Sequence, residues 1–327
     1  MSGNEKRIFW TVVICAALVS SLGIGIRQNF GLFLPPLTGD LGIGRESFAF
    51  AMALQNIIWG LLTPVTGALA DKYGSGRIIA LGGAVYAGGL YIMSGATDVT
   101  DLNIGAGLFI GFGQAAAGFA VVLAAVARRV PAQKRSLALG IATAGGSFGQ
   151  FYMAPVSLGL IEAIGWSTAL LYIAGLALLM VALATGLTGD SSDTHEGDPA
   201  QTLGTAVREA AGHKGYWYLT SGFFVCGFQV SFIAVHFPAY LQDAGFSTAT
   251  GATAIALIGF FNIIGTYGCG VLGGRYSKKY LLSSLYCLRG VMVAVAVDAR
   301  QRPTSARRRG GSRRARCRRG SGPAAPL

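Results

Sequence analysis

Three sets of residues in this chain are of types that do chemistry rather than fill space. Arg27, with Gln28 and Asn29 beside it, stands well inside an apolar run. A guanidinium in hydrocarbon costs several kcal/mol unless it faces a cavity or a partner. It also matches a carboxylate through two parallel N–H bonds, so Arg27 reads as the anchor of an anion. Its helical face, Gly23, Arg27 and Gly31, leaves room around the charge. The competing reading is an arginine that snorkels to the nearer interface. His236 is the only histidine in an apolar run and shares a helical face with Gln229, Ile233 and Tyr240. Imidazole titrates near neutrality, which makes His236 a candidate proton carrier, against the plainer role of a hydrogen-bonded packing residue. The third set is the charged turn Gly67-Ala-Leu-Ala-Asp71-Lys72-Tyr73-Gly74-Ser75-Gly76-Arg77. Here Gly67 permits close helix approach, Gly74 and Gly76 supply a tight reversal, and Lys72 and Arg77 hold the turn at a membrane surface. Asp71 is its costly member.

The elements that must position these residues are apolar runs of about 20 residues, the length that crosses a ~30 Å hydrocarbon core. They are expected near 8–34, 46–70, 78–97, 102–127, 136–160 and 166–187, then 216–241, 250–273 and, more weakly, 280–297. Other polar residues fall inside them: Gln55 and Asn56 in the second, Gln114 in the fourth, Gln150 and Tyr152 in the fifth, Asn262 in the eighth. Hydrocarbon penalises such groups where they face lipid. Some therefore line a shared passage, and others make interhelical hydrogen bonds worth about 0.6 kcal/mol each. The basic residues from Lys6 and Arg7 to Lys278 and Lys279 lie on alternate breaks, while the opposite breaks carry Asp40, Asp98, Asp101, Glu162 and Asp243 with Arg45 as their one cation. The positive-inside rule then places the N-terminus in the cytoplasm of a multi-pass protein.

Composition agrees. Hydrophobic residues make up 52% of the chain and charged residues 12%, about half the charge of a soluble domain, which excludes a soluble enzyme. The net charge of +12 misleads, because ten arginines are crowded between Arg300 and Arg319. The body is near neutral and gives no footing for nucleic-acid binding. The five cysteines have no paired or metal-ligand spacing and read as small core residues. The first apolar run is too long, and followed by too many others, to be a cleaved leader.

Residues 188–214 are the one long polar interruption before the tail. They read as a cytoplasmic linker with a short surface helix from Gln201 to Ala211 and a solvated His195. The organisation expected is a six-helix N-terminal bundle over 1–187, that linker, a partial C-terminal bundle over 215–297, and a disordered Arg-rich tail over 298–327. The halves repeat: Gly270-Val-Leu-Gly-Gly274-Arg275-Tyr276-Ser277-Lys278-Lys279 follows the eighth span as Gly67 to Arg77 follows the second, with Gly274 in place of Asp71.

The turn from Gly67 to Arg77 resembles the G-x-x-x-D-[RK]-x-G-x-[RK]-[RK] signature of the major facilitator superfamily, whose halves are tandem repeats. The stretch Lys134-Arg135-Ser136-Leu137-Ala138-Leu139-Gly140-Ile141-Ala142-Thr143-Ala144-Gly145-Gly146-Ser147-Phe148-Gly149 is similar to the K-R-x-x-A-x-G-x-A-x-A-G-x-x-x-G pattern of its monocarboxylate-porter group, which includes bacterial oxalate and formate exchangers. Packing explains such a segment, with Gly140 and Ala144 kept close to a rocking neighbour. The acid and arginine that monocarboxylate porters carry in the eighth span fall here on Asn262 and Thr266, which leaves open a different anion or coupling residue.

The resemblance implies an all-α integral membrane protein of the major facilitator fold, monomeric in the inner membrane of a bacterial-type cell. It moves a small organic anion by alternating access, with a coupled proton or an exchanged anion, and uses no cofactor, metal or covalent step. Arg27, Gln55, Gln150, Tyr152, His236 and Asn262 are the expected substrate or proton pathway. Gly67, Asp71, Lys72, Gly74, Arg77, Arg128 and Arg129 are the expected gate, in which Asp71 held near Arg128 or Arg129 latches one state. Superfamily members run to twelve spans, so the Arg-rich ending reads as the product of a frameshift in a GC-rich gene. The alternative to transport is then a truncated remnant, or a membrane sensor or partner-binding protein.

Overall fold

The computed structural model describes residues 3–188, 203–275 and 277–301, and among them there are helices and turns but no strand. The expectations for His195 and for the Arg-rich run from Arg302 onward lie outside the described residues. Among the described residues, those up to Tyr267 pack as one compact unit and those from Gly268 to Gln301 as a second.

The first expected span is two helices, α1 (Gly3–Gln28) and α2 (Phe30–Leu41). Asn29 interrupts them: its side-chain amide donates to the Gly25 carbonyl at 2.6 Å, a local bond that competes with the helical ladder. Downstream, Pro35 and Pro36 remove two more ladder donors. The second and third spans are α3 (Arg45–Tyr73) and α4 (Ser75–Ser94). The fourth is assembled from α5 (Val99–Leu102), a π-helical stretch Asn103–Phe109, α6 (Ile110–Ala117) and α7 (Phe119–Arg129), with Gly118 extended between the last two. The fifth is α8 (Ala132–Ile164), and the sixth is α9 (Trp166–Ala184) with a 3-10 turn, Thr185–Leu187. Where a surface helix was expected, α10 (Leu203–Gly212) forms. At the later expected spans stand α11 (Lys214–Asp243), α12 (Thr248–Arg275) and α13 (Lys278–Gln301). Seven spans among the described residues are long and apolar enough to cross a membrane. Their outer faces carry large exposed apolar side chains, among them Leu61, Tyr172 and Phe224. So much apolar surface is costly in water and costs nothing against lipid.

Small residues set the packing of the first nine helices. α1 lies along α8, α4 along α9, and α3 against the pieces of the fourth span. The closest approach is at Gly149, where an added Cβ would stand 2.0 Å from the Ser21 carbonyl oxygen, and one at Gly145 would meet Ala17 at 2.4 Å. This revises one expectation. Gly140 is exposed and has nothing within 4 Å of where its Cβ would be, whereas Ala138, Ala142, Gly146 and Gly149 of that segment are buried. The face packed against α1 therefore runs through 138, 142, 145, 146 and 149, rotated away from Gly140 by the 3.6-residue helical period. A second close approach joins α2 to α11, where a Cβ at Gly31 would lie 2.2 Å from the Ala234 carbonyl oxygen. Gly31 is thus a packing position against α11.

Backbone cannot yield as a flexible side chain can, so Gly149→Ala is expected to destabilise the protein by about 1–3 kcal/mol, whereas Gly140→Ala is expected to be neutral. Thermal unfolding of the two variants in the same detergent checks this.

Candidate functional site

The last turn of α1 delivers Arg27 into a polar cluster built from three helices. Its Nε donates to Gln55 Oε1 at 3.1 Å. Its Nη2 donates to Asn56 Oδ1 at 2.5 Å and to Ser231 Oγ at 3.3 Å. The Trp59 ring lies against the guanidinium, its centroid 4.9 Å from Cζ, a cation–π arrangement. The two amide acceptors are oriented from behind. Gln55, only 1% exposed, spends its Nε2 on the Ala106 carbonyl at 2.8 Å, and Asn56 spends its Nδ2 on the Met52 carbonyl at 2.7 Å. Each amide therefore presents its oxygen to Arg27. These interactions hold the guanidinium among α1, α3 and α11.

All of these partners are neutral, and Arg27 has no carboxylate partner among the described residues. Its positive charge is solvated by dipoles, which leaves it able to attract an anion. Gln55 was among the residues singled out in the sequence. Trp59 and Ser231 were not. Trp59 shares the helical face of Gln55 and Asn56 at three- and four-residue spacing, a signal that was available. Ser231 gives no such signal.

The other pathway residues are placed apart from this cluster. Asn262 Nδ2 reaches Gln150 Oε1 at 3.5 Å, a long contact between α12 and α8. Tyr152 packs its ring against Phe148 at 5.4 Å, and His236 packs against Phe232 at 4.9 Å. Because α11 is one continuous helix, Gln229, Ile233, His236 and Tyr240 do share a face.

At the cation-rich end, the turn after α3 is made by Gly74, whose φ of +92° falls in the region that favours glycine. Gly76 is instead helical and packs α4 onto the end of α9, where its Cβ would meet the Ala184 carbonyl oxygen at 2.8 Å. Gly67 has nothing within 4 Å of its Cβ position, so the close neighbour expected there is not seen. Arg128 Nη1 donates to Asp71 Oδ1, and Arg128 Nη2 to Ser75 Oγ at 2.5 Å. Arg129 takes the Gly186 carbonyl instead, at 3.3 Å. Lys72 lies over the Tyr73 ring at 5.1 Å, and Arg77 is exposed. Asp71 thus joins α3 to the fourth span through Arg128.

The opposite end carries an ion pair that the sequence reading did not foresee. Arg45, the lone cation of those loops, grips Asp243 with both nitrogens, Nη1 to Oδ2 at 2.5 Å and Nη2 to Oδ1 at 2.9 Å. It ties the start of α3 to the end of α11 across 198 residues of chain. Trp166 Nε1 donates to Asp40 Oδ2 at 2.5 Å at that same end.

Comparison with known proteins places this architecture. Residues 12–299 match the sequence profile of the Major Facilitator Superfamily. Monocarboxylate transporter 13 of Rattus norvegicus is 28% identical over 269 residues, which are 81% of this chain and 61% of that protein. The uncharacterized MFS-type transporter YcxA of Bacillus subtilis (strain 168) is 24% identical over 300 residues, 88% of this chain and 70% of that one. Among solved structures, a bacterial homolog of the human lysosomal transporter Spinster, inward-facing and unoccupied, superposes with a TM-score of 0.60 at 16% identity over 83% of this chain and 64% of that one. The chain thus spans less than two thirds of the length of the rat relative and of the solved structure. With a family profile covering most of its length and this helical arrangement, the chain belongs to the Major Facilitator Superfamily.

Proposed function

We propose that this protein takes part in moving a small organic anion, of the monocarboxylate kind, across the membrane by alternating access. The observation that carries the reading is Arg27: a guanidinium inside a span, hydrogen-bonded by neutral oxygens from α3 and α11 and by no protein carboxylate among the described residues. Such a group offers an incoming carboxylate a charge-assisted bond that water-poor surroundings strengthen. The names of the rat relative and of other monocarboxylate transporters support the substrate class. Gln55 orients the anchor, and Gln150, Tyr152, Asn262 and His236 line the rest of the passage, with His236 as the group that carries a coupled proton.

The gate in this reading is Asp71 with Arg128, aided by Lys72, Arg77, Arg129 and the turn at Gly74. Both partners are substantially exposed, with side-chain exposures of 62% and 38%. An ion pair in such a setting is worth about 0–1 kcal/mol. A contact of that size suits a latch that must be released in each cycle. The cation-rich breaks support a cytoplasmic position for this end and for the N-terminus, and the reading puts the protein in the inner membrane of a bacterial-type cell.

Three outcomes are expected in proteoliposomes supplied with a panel of labelled carboxylates. Arg27→Gln abolishes saturable uptake and Arg27→Lys retains a fraction of it, since lysine keeps the charge and loses the planar fork; uptake unchanged in Arg27→Gln removes the anchor. Asp71→Asn slows the maximal rate with KM little changed, because the latch does not touch substrate. An imposed pH gradient, inside alkaline, stimulates uptake by the parent protein and not by His236→Gln; equal stimulation of both assigns the proton elsewhere.

A further inference from the structure

The hydrogen bonds of Arg27 are of unequal strength, and their distribution shows which one an anion can replace. A carboxylate binds a guanidinium along an edge with two parallel N–H groups, either Nε with Nη2 or Nη1 with Nη2. The Nε/Nη2 edge is occupied by Gln55 and Asn56 at 3.1 and 2.5 Å. Both amides are fixed by their own bonds to Ala106 and Met52, so that edge is held on either side. One face of the group is covered by Trp59. On the remaining edge, Nη1 has no hydrogen-bond partner among the described residues. The second hydrogen of Nη2 goes to Ser231 Oγ at 3.3 Å, and that hydroxyl's other contact, to Asn56 Oδ1, is 3.5 Å. Both lengths lie at the weak end of the range.

Resting on the anchor reading above, we infer that Ser231 is the residue a bound carboxylate displaces, and that it couples occupancy to the seventh span. Without substrate its hydroxyl accepts from Arg27 and ties α11 to α1 and α3 at the depth of the site. An arriving carboxylate takes Nη1 and Nη2 together. A carboxylate pairs its own charge with the guanidinium through two parallel bonds, where the neutral hydroxyl offers one long bond, so the serine gives way. The tie is then lost, which loosens the Gly31 to Ala234 seam three residues along α11 and leaves that helix held by the Arg45 to Asp243 pair at its far end. Substrate binding thereby frees the helix that has to move. Ser231 acts through Arg27 as a positioning residue and spends no bond on the substrate.

Two measurements test this. The first is binding of L-lactate and of oxalate to the purified chain by isothermal calorimetry. Ser231→Ala is expected to bind about three- to tenfold more tightly than the parent, the worth of one long hydrogen bond removed from the competition. Ser231→Thr, which keeps the hydroxyl, stays at the parent value. Weaker or unchanged binding in Ser231→Ala overturns the inference, the former by making the serine a ligand of the substrate. The second needs no ligand. A reporter cysteine, Ala234→Cys, lies in the seam under Gly31, and its maleimide labelling is compared with a parent background that includes Cys226. Adding Ser231→Ala is expected to raise the labelling rate several-fold and adding Ser231→Thr to leave it unchanged; no rise overturns the tie. Failure of the anchor reading shows separately, as equal binding by Arg27→Gln and the parent.

Discussion

A single positive charge held inside the membrane-spanning part of the protein constrains most of what surrounds it. Arg27 cannot be stripped of hydrogen-bond partners in a medium of low dielectric, and a carboxylate placed beside it would neutralise its attraction for anything else. The chain meets both demands with amide and hydroxyl oxygens. That solution requires α3 to present Gln55 and Asn56 side by side and the fourth span to offer the Ala106 carbonyl. It also requires α11, from the other end of the sequence, to come within reach at Ser231. Three helices are thereby fixed in rotation about their own axes by one guanidinium.

Close packing supplies the rest. Apolar side chains gain little from meeting each other rather than lipid, so association of spans depends on contact area and on backbones that can approach. The stripe at Ala138, Ala142, Gly145 and Gly149 brings α8 against α1, and Gly31 brings α2 against α11. At the two ends, ion pairs of different reach complete the arrangement. Asp71 with Arg128 joins neighbouring spans of the first half, and Arg45 with Asp243 joins the second span to the seventh. In this structure the contact between α11 and the earlier helices is concentrated in its last third, where Ala234, Val235, Pro238 and Ala239 are buried, whereas Tyr218, Phe224 and Phe228 nearer its start are exposed.

Much of this was legible in the order of residues. Span positions follow from apolar length, and the nine runs expected in the sequence appear as helices or chains of short helices, the first extending to Leu41 beyond its expected end at 34 and the others within about four residues of their expected bounds. The reversal at Gly74 and the approach of Asp71 to an arginine were readable from one turn and its family resemblance. Other features were hidden. At the break, the Asn29 side chain takes the Gly25 carbonyl, and Gly31 just beyond it packs onto α11. The choice of Gly145 and Gly149 over Gly140 depended on the rotation of α8, which a repeating pattern of small residues leaves open.

The sequence by itself determined that this is a membrane protein of many spans, that its cations gather at one end, and that a few polar residues must find partners away from lipid. Those follow from solvation, which each residue meets alone or with its nearest neighbours along the chain. Only the tertiary structure decided that Arg27 would be shared among Gln55, Asn56, Trp59 and Ser231, that Arg128 rather than Arg129 would take Asp71, and that Arg45 would close on Asp243. Partnerships of that kind depend on helix rotation and depth, and these are set jointly by segments up to 204 residues apart. No local run of residues contains that information.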